Sequence, residues 1–248
     1  MEEKNMVVIV TGAGGGMGKA VVKKLLESGV TVIGLDLKKE SMEEIEHDDF
    51  YKVEVNLLDE KRIQDIFAKT YRRFGKIDGL VNIAGIAQSA KPITEVSTEE
   101  WEQLLSVNAT GVFLTCREAV KYMKKQQKGS IVNIGSVSVT RPRPGLQSYI
   151  ASKGALEAFS RALALETAPE RIRVNVLHPG PAQTNMLGQF TSAEAQKDGL
   201  DMDAFKQSVP LGELIQPDDI AEAVRFLLSD ATKMVTGVTL HVDGGRAL

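Results

Sequence analysis

Cysteine is nearly absent from this chain. Cys116 stands alone among 248 residues, which excludes an intrachain disulfide and any multi-cysteine zinc site. Its place in a helical pattern reads as a small buried apolar residue. Histidine is scarce too: His47, His178 and His241 are scattered and form no ligand pair, so no metal is expected. No apolar run approaches the ~18 residues of a membrane span. The net charge of −3 carries no basic excess that would suggest nucleic acid or an anionic membrane as partner. The short polar start, Met1 to Asn5, runs straight into an apolar stretch and leaves no room for a signal peptide. A cytoplasmic, metal-free protein is expected. Low-complexity linkers and internal repeats are also missing, which argues for a single domain over residues 1–248.

What is present begins with Val7-Val8-Ile9-Val10-Thr11, a β-branched run that stops in glycines at Gly12, Gly14, Gly15, Gly16 and Gly18. A helical pattern follows at once, so the layout is strand, tight turn and helix start. Glycine lets a backbone approach a pyrophosphate closely, and the helix aims unpaired N–H groups at it. The spacing is Gly-x-x-x-Gly-x-Gly rather than Gly-x-Gly-x-x-Gly, and such a turn alone is compatible with a plain chain reversal. The next strand, Val30 to Asp36, ends in a carboxylate 18 residues beyond Gly18. An acid there accepts both ribose hydroxyls of an adenosine and repels a 2′-phosphate.

Along the chain, strand and helix patterns alternate. The spacing predicts helices near 17–28, 39–46, 60–73, 98–125, 147–168 and 217–228, with Asp59 as an N-cap. Strands are predicted at 50–55, 78–85, 129–134, 173–177 and 237–242, besides the first two. The expected fold is α/β: a doubly wound, Rossmann-like parallel sheet of about seven strands with helices on both faces. Ligands of such sheets lie beyond the C-terminal strand ends. Residues 185–212 lack strand character and are expected to cover the substrate, with Asn185, Met186, Leu187, Phe190 and Phe205 among them.

Tyr149 and Lys153 stand four residues apart, on one face of a predicted helix. A phenol near its ordinary pKa of about 10 is a poor base, and a neighbouring cation draws it down. Ser136, ending the preceding strand, places a hydroxyl where it can hold the same substrate oxygen. Asn108 is an amide in mid-helix, which is locally unfavourable.

Taken together, these residues resemble the short-chain dehydrogenases/reductases over essentially the whole chain. The resemblance rests on Thr11-Gly-x-x-x-Gly-x-Gly18, Asn82-Ile-Ala-Gly85, Asn108, Ser136, Tyr149-x-x-x-Lys153, Pro179-Gly180-x-x-x-Thr184 and Val242-Asp-Gly-Gly245. It implies that Tyr149 is the general acid/base, Ser136 polarises the carbonyl, and Lys153 binds the nicotinamide ribose and lowers the tyrosine pKa. Asn108 would support a relay water, and Thr184 would contact the carboxamide. Cofactor contacts are implied at Gly12, Gly14, Gly15, Gly16, Met17 and Gly18, then at Asp36, Leu37, Asn56 and Leu57. Further contacts fall on Asn82, Ala84, Gly85, Tyr149, Lys153, Pro179, Gly180, Ala182 and Thr184. Ile83 and Asn56 depart from the Asn and Asp that the family often has there. Gly15 and Leu37 stand where phosphate-preferring relatives often carry a basic residue, so NAD is the expected cofactor.

The implied reaction is hydride transfer between nicotinamide and a secondary alcohol or ketone. An NADPH-linked 3-oxoacyl-thioester reductase and a non-enzymatic NAD-binding scaffold are the other readings. Which alcohol or ketone is used does not follow from these motifs. Arg141 and Arg143, between Ser136 and Tyr149, read as a solvated basic turn or as a contact for an anionic substrate tail. Helices 98–125 and 147–168 carry Ala109, Val112, Phe113, Cys116, Ala155, Ala158, Phe159 and Ala162, more than one face needs. By the resemblance this implies a homotetramer.

Overall fold

The computed structural model describes residues 5–191 and 202–248. Seven strands form one parallel sheet: β1 (Val7–Thr11), β2 (Thr31–Asp36), β3 (Phe50–Glu54), β4 (Gly79–Asn82), β5 (Gly129–Ile134), β6 (Ile172–Pro179) and β7 (Thr239–Val242). Their order is β3-β2-β1-β4-β5-β6-β7. β1 and β5 are buried along their whole length, which is why they read as unbroken apolar runs instead of alternating. Neighbouring residues of β1 serve opposite faces. Val8 and Val10 pack with α1 (Gly16–Glu27) and α7 (Pro217–Leu228). Val7 and Ile9 pack with α2 (Glu60–Phe74), α4 (Gly111–Gln126) and α5 (Gln147–Thr167). Helices therefore cover both faces, as the patterning predicts.

The chain runs outward from β1 to β2 and β3, then returns to lay β4 on the other side of β1. That reversal opens a crevice at the C-terminal ends of β1 and β4, where sheets of this kind bind ligands. Helix starts are set locally. The Asp59 carboxylate accepts the Arg62 N–H at 3.0 Å, and Ser97 with Glu100 forms a reciprocal capping box at α3 (Thr98–Leu105).

Several boundaries differ from the expected ones. The helix expected over 39–46 is a single 3₁₀ turn, Lys39–Met42. There the Ser41 hydroxyl bonds back to the Lys38 carbonyl at 2.6 Å and Met42 turns into the core. The expected long helix exists as α3 and α4, joined by one π-helical turn at Ser106–Thr110. β4 stops at Asn82, and the last strand starts at Thr239, after Gly237 at a φ of +73°. Within the segment expected to cover the substrate, Leu187–Phe190 form a 3₁₀ turn and Met202–Gln207 form α6, while 192–201 lie outside the described residues. No helix among the described residues is long and apolar enough to cross a membrane.

Candidate active site

The β1–α1 turn is built for close backbone approach. Gly12 has a φ of +68°, and a Cβ on it would stand 2.7 Å from the Ala84 backbone. A Cβ on Gly18 would stand 2.0 Å from the Gly12 carbonyl oxygen, so the first turn of α1 rests directly on the loop. Gly15, the N-cap, provides no side-chain cap, and the first turn holds no acidic residue. Its N–H groups and helix dipole are thus free to meet an anion. Asp36 faces this loop, and its Oδ2 accepts the Gly14 N–H at 2.9 Å.

A groove of about 490 Å³ follows from this turn. The glycines, Met17, Asp36, Leu37, Asn56, Leu57, Ala84, Gly85 and Thr184 all line it. Distant segments meet here, since a Cβ on Gly16 would stand 3.1 Å from the Thr184 methyl. An open helix N-terminus, side-chain-free glycines and an acid at the end of β2 fit a dinucleotide.

Beside the groove lies a smaller cavity of about 80 Å³. Ser136, Tyr149 and Lys153 line it, with Pro179, Gly180 and Ala182, and it shares Met17, Gly85 and Thr184 with the groove. Ser136 caps the turn after β5, where its Oγ accepts the Ser138 N–H at 3.2 Å, and it shares the cavity wall with the Tyr149 phenol. Tyr149 and Lys153 project from the first two turns of α5. Lys153 Nζ donates to the Ile134 carbonyl at 2.8 Å.

Two predicted residues are placed differently. Asn82 lines neither the groove nor the cavity. It is buried, donates to Asn133 Oδ1 at 2.8 Å and accepts from Thr115 Oγ1 at 2.8 Å, which ties β4 to β5 and α4. Asn108 is also fully buried and fully engaged. Its Oδ1 accepts the Ile86 N–H at 2.8 Å, and its Nδ2 donates to the Ile86 carbonyl and to Ser152 Oγ, both at 3.0 Å. The π turn aims this amide across at the loop after β4. A Cβ on Gly85 would stand 3.0 Å from Asn108 Oδ1 and 3.4 Å from Lys153 Nζ, so the amide and the amine flank that glycine.

Burial dominates the electrostatics of the tyrosine and the lysine. Burial pushes the Tyr149 phenol up to about 12, against the Ser136 hydroxyl and the charge of Arg143, both of which favour phenolate. Arg143, from the loop before α5, is a cation that favours the phenolate here. Lys153 is itself desolvated, and burial brings it down to about 8.

Sequence reading missed several neighbours of Tyr149. Gln88 Oε1 accepts its backbone N–H at 2.9 Å and Ser152 Oγ donates to its carbonyl at 2.7 Å, while Phe190, named above for the covering segment, sets its ring 4.9 Å from the phenol ring. Ser152 sits inside the Tyr-x-x-x-Lys interval and was open to notice. Gln88 and Arg246, the latter also in the cavity wall, carry no local signal.

Fold and site together define an α/β protein with a dinucleotide groove beside a serine–tyrosine–lysine set. A family model described as Enoyl-(acyl carrier protein) reductase matches residues 12–247. The 2,3-dihydro-2,3-dihydroxybenzoate dehydrogenase of Bacillus subtilis is 36% identical over 98% of this chain and 96% of that protein. A 3-oxoacyl-(acyl-carrier-protein) reductase of Thermotoga maritima is 34% identical over 100% of both chains. Among solved structures, the Brucella melitensis 3-ketoacyl-(acyl-carrier-protein) reductase complexed with NADH superposes with a TM-score of 0.91 at 34% identity, covering 99% of this chain and 100% of that one. The chain belongs to the short-chain dehydrogenase/reductase family and is an oxidoreductase of that family, whose members bind a nicotinamide cofactor.

The two shifted groups make a checkable pair. In the cofactor-free protein, lysine-selective NMR is expected to show one side chain titrating near 8, missing in Lys153→Met. Alkaline absorbance titration should show one tyrosine resisting ionisation up to about 12, missing in Tyr149→Phe. A Lys153 signal at the ordinary value of about 10.4 would contradict the burial described. The linkage signs follow. The folded state's aversion to a charged Lys153 is fully present below about 8, and stability rises with pH from there toward 10.5. The Tyr149 contribution is fully present below 10 and fades toward 12.

Proposed function

We propose that this protein is an NAD-dependent oxidoreductase that transfers a hydride between nicotinamide and the carbinol or carbonyl carbon of a small secondary alcohol or ketone. The observation that carries this reading is the Tyr149 phenol, set with Ser136 and Lys153 in a cavity that shares Met17, Gly85 and Thr184 with the groove. The bound cofactor supplies the hydride acceptor or donor. The chain's own part is position and a proton. Ser136 and Tyr149 hold the substrate oxygen between two hydroxyls. In alcohol oxidation Tyr149 first loses its own proton to solvent, and the phenolate oxygen then takes the hydroxyl proton as the carbinol C–H bond breaks. In ketone reduction Tyr149 donates its proton to the carbonyl oxygen as the new C–H bond forms. Lys153 would hold the nicotinamide ribose, and Asn108 acts by fixing the loop at Ile86. The chain is read as one cytoplasmic domain, with segment 185–212 covering the substrate.

Asp36 supports NAD. Among the described residues no lysine or arginine pairs with its carboxylate, so a 2′-phosphate brought there meets an uncompensated charge. Several relatives named as 3-oxoacyl-(acyl-carrier-protein) reductases favour a second reading, reduction of a carrier-bound 3-oxoacyl group. Asp36 and the small cavity weigh against it. Exposed Phe113, Ala155, Ala158, Ala162 and Leu165 leave an apolar strip on α4 and α5, which supports a homotetramer, although Val112 and Cys116 are spent in the core.

Tyr149→Phe is expected to fold and to bind NAD as the parent does, while turnover falls by at least ~10²-fold. Near-parental turnover would show that another group handles the proton. Because the phenol is held protonated, alcohol oxidation should accelerate with rising pH, and ketone reduction should slow at high pH. Steady-state comparison should favour NAD over NADP by roughly tenfold or more in kcat/KM, the size of one added like-charge repulsion of about 1–3 kcal/mol. Parity between the two would overturn the cofactor assignment. Light scattering at micromolar concentration should give the mass of four chains, and a monomer mass would refute the assembly.

A further inference from the structure

One wall of the cavity is positively charged, and among the described residues no acid lines it. Arg143 comes from the loop between β5 and α5, and Arg246 from the turn after β7, so the topology brings together residues about a hundred positions apart. Both are held in place by neutral groups. Arg246 Nη1 donates to the Ser208 carbonyl at 3.0 Å, and the Arg143 guanidinium lies 5.9 Å from the centre of the buried Phe205 ring. Arg141 stands behind the pair and donates to the Arg246 carbonyl at 2.9 Å. Among the described residues none of the three forms an ion pair, and no Asp or Glu lines the cavity. The carboxylate that acts on Arg246 is Asp243, which is buried and turned inward. Its Oδ1 accepts the Gly245 N–H and its Oδ2 the Ala247 N–H, both at 2.9 Å.

Two half-buried guanidinium groups facing one small space repel each other and lose hydration without return. Burial holds both below the usual arginine range, and Arg143 adds to the effect on Arg246. Each guanidinium carries five N–H donors in a fork that matches an oxyanion, and few of them are used here. Among the described residues, a neutral substrate would leave both guanidinium groups without an ion-pair partner. The wall is also close to the chemistry, since Arg143 acts electrostatically on the Tyr149 phenol.

We infer that Arg143 and Arg246 receive an oxyanion of the substrate, which makes that substrate a compact hydroxy or oxo acid with its carboxylate, sulfonate or phosphate a few bonds from the reacting carbon. The inference rests on the redox reading above and narrows its substrate class. The cavity measures about 80 Å³, which suits a short chain.

The test uses the full chain with NAD and three sets of short secondary alcohols, ending in carboxylate, sulfonate or phosphate. Each is paired with an uncharged isostere such as the methyl ester. At least one anionic set is expected to exceed its isosteres by ~10²-fold or more in kcat/KM, and the preferred set identifies the oxyanion. Arg143→Gln and Arg246→Gln should each lose about 10- to 100-fold on that substrate, mostly through KM, with Arg143→Lys recovering part of the loss. Calorimetry with the matching acid lacking the hydroxyl should show binding to the parent that weakens in both Gln variants. Equal turnover of anions and isosteres, with Gln variants unchanged, would overturn the subsite and leave the redox reading standing. Arginine-dependent binding of the anion with no turnover by NAD or NADP would keep the subsite and remove the redox reading.

Discussion

A buried amine with one fixed acceptor is the constraint around which the site is arranged. Lys153 Nζ donates to the carbonyl at the end of β5, Ile134, and no other hydrogen bond is made by it among the described residues. An ammonium has three donors, so the position is incomplete as a charged site, and burial accordingly drives it toward the neutral form. Everything near it is consistent with a ligand that finishes the coordination. Gly85 has no side chain to block the approach, Tyr149 stands one turn earlier on α5, and groove and cavity meet beside it.

Holding an amine in so dry a place requires a stiff frame. The sheet's crevice between β1 and β4 provides the direction, and buried amides provide the stiffness. Asn82, Asn133, Thr115 and Ser160 link β4, β5, α4 and α5 through hydrogen bonds of 2.8 Å. Asn108 joins the π turn to the loop after β4 and, through Ser152, to the carbonyl of Tyr149. Networks of this kind are favourable only when every member is satisfied, which makes the geometry of Tyr149 and Lys153 hard to deform.

The alternation of apolar strands with amphipathic helices was enough to read the sheet, and the ordered motifs were enough to read the groove. Those signals are local: β-branched runs, glycines at a turn, an acid at a strand end, two side chains one turn apart. What the chain order could not convey is which polar residue faces the ligand and which supports a neighbour. Asn82 and Asn108 have the residue type of contact groups, yet their partners come from β5, α4, α5 and the loop at Ile86. Helical spacing places Lys153 one turn from the phenol, and loop geometry, invisible in the spacing, brings Arg143 to it as well. Arg246 was out of reach altogether, because only β7 lying beside β6 carries the C-terminal turn to the cavity.

If Lys153 waits half-coordinated for a dinucleotide, binding must restore its charge. Ribose oxygens and phosphate charge favour the ammonium, so its pKa rises on binding and protons are taken up where the free amine is neutral. Calorimetric titration with NADH near pH 9, repeated in buffers of different ionisation enthalpy, measures that uptake directly. Uptake approaching about one proton per chain is expected, falling toward zero at pH 6 and abolished in Lys153→Met. Binding without proton uptake at pH 9, or uptake that survives in Lys153→Met, would contradict the central role given to this amine.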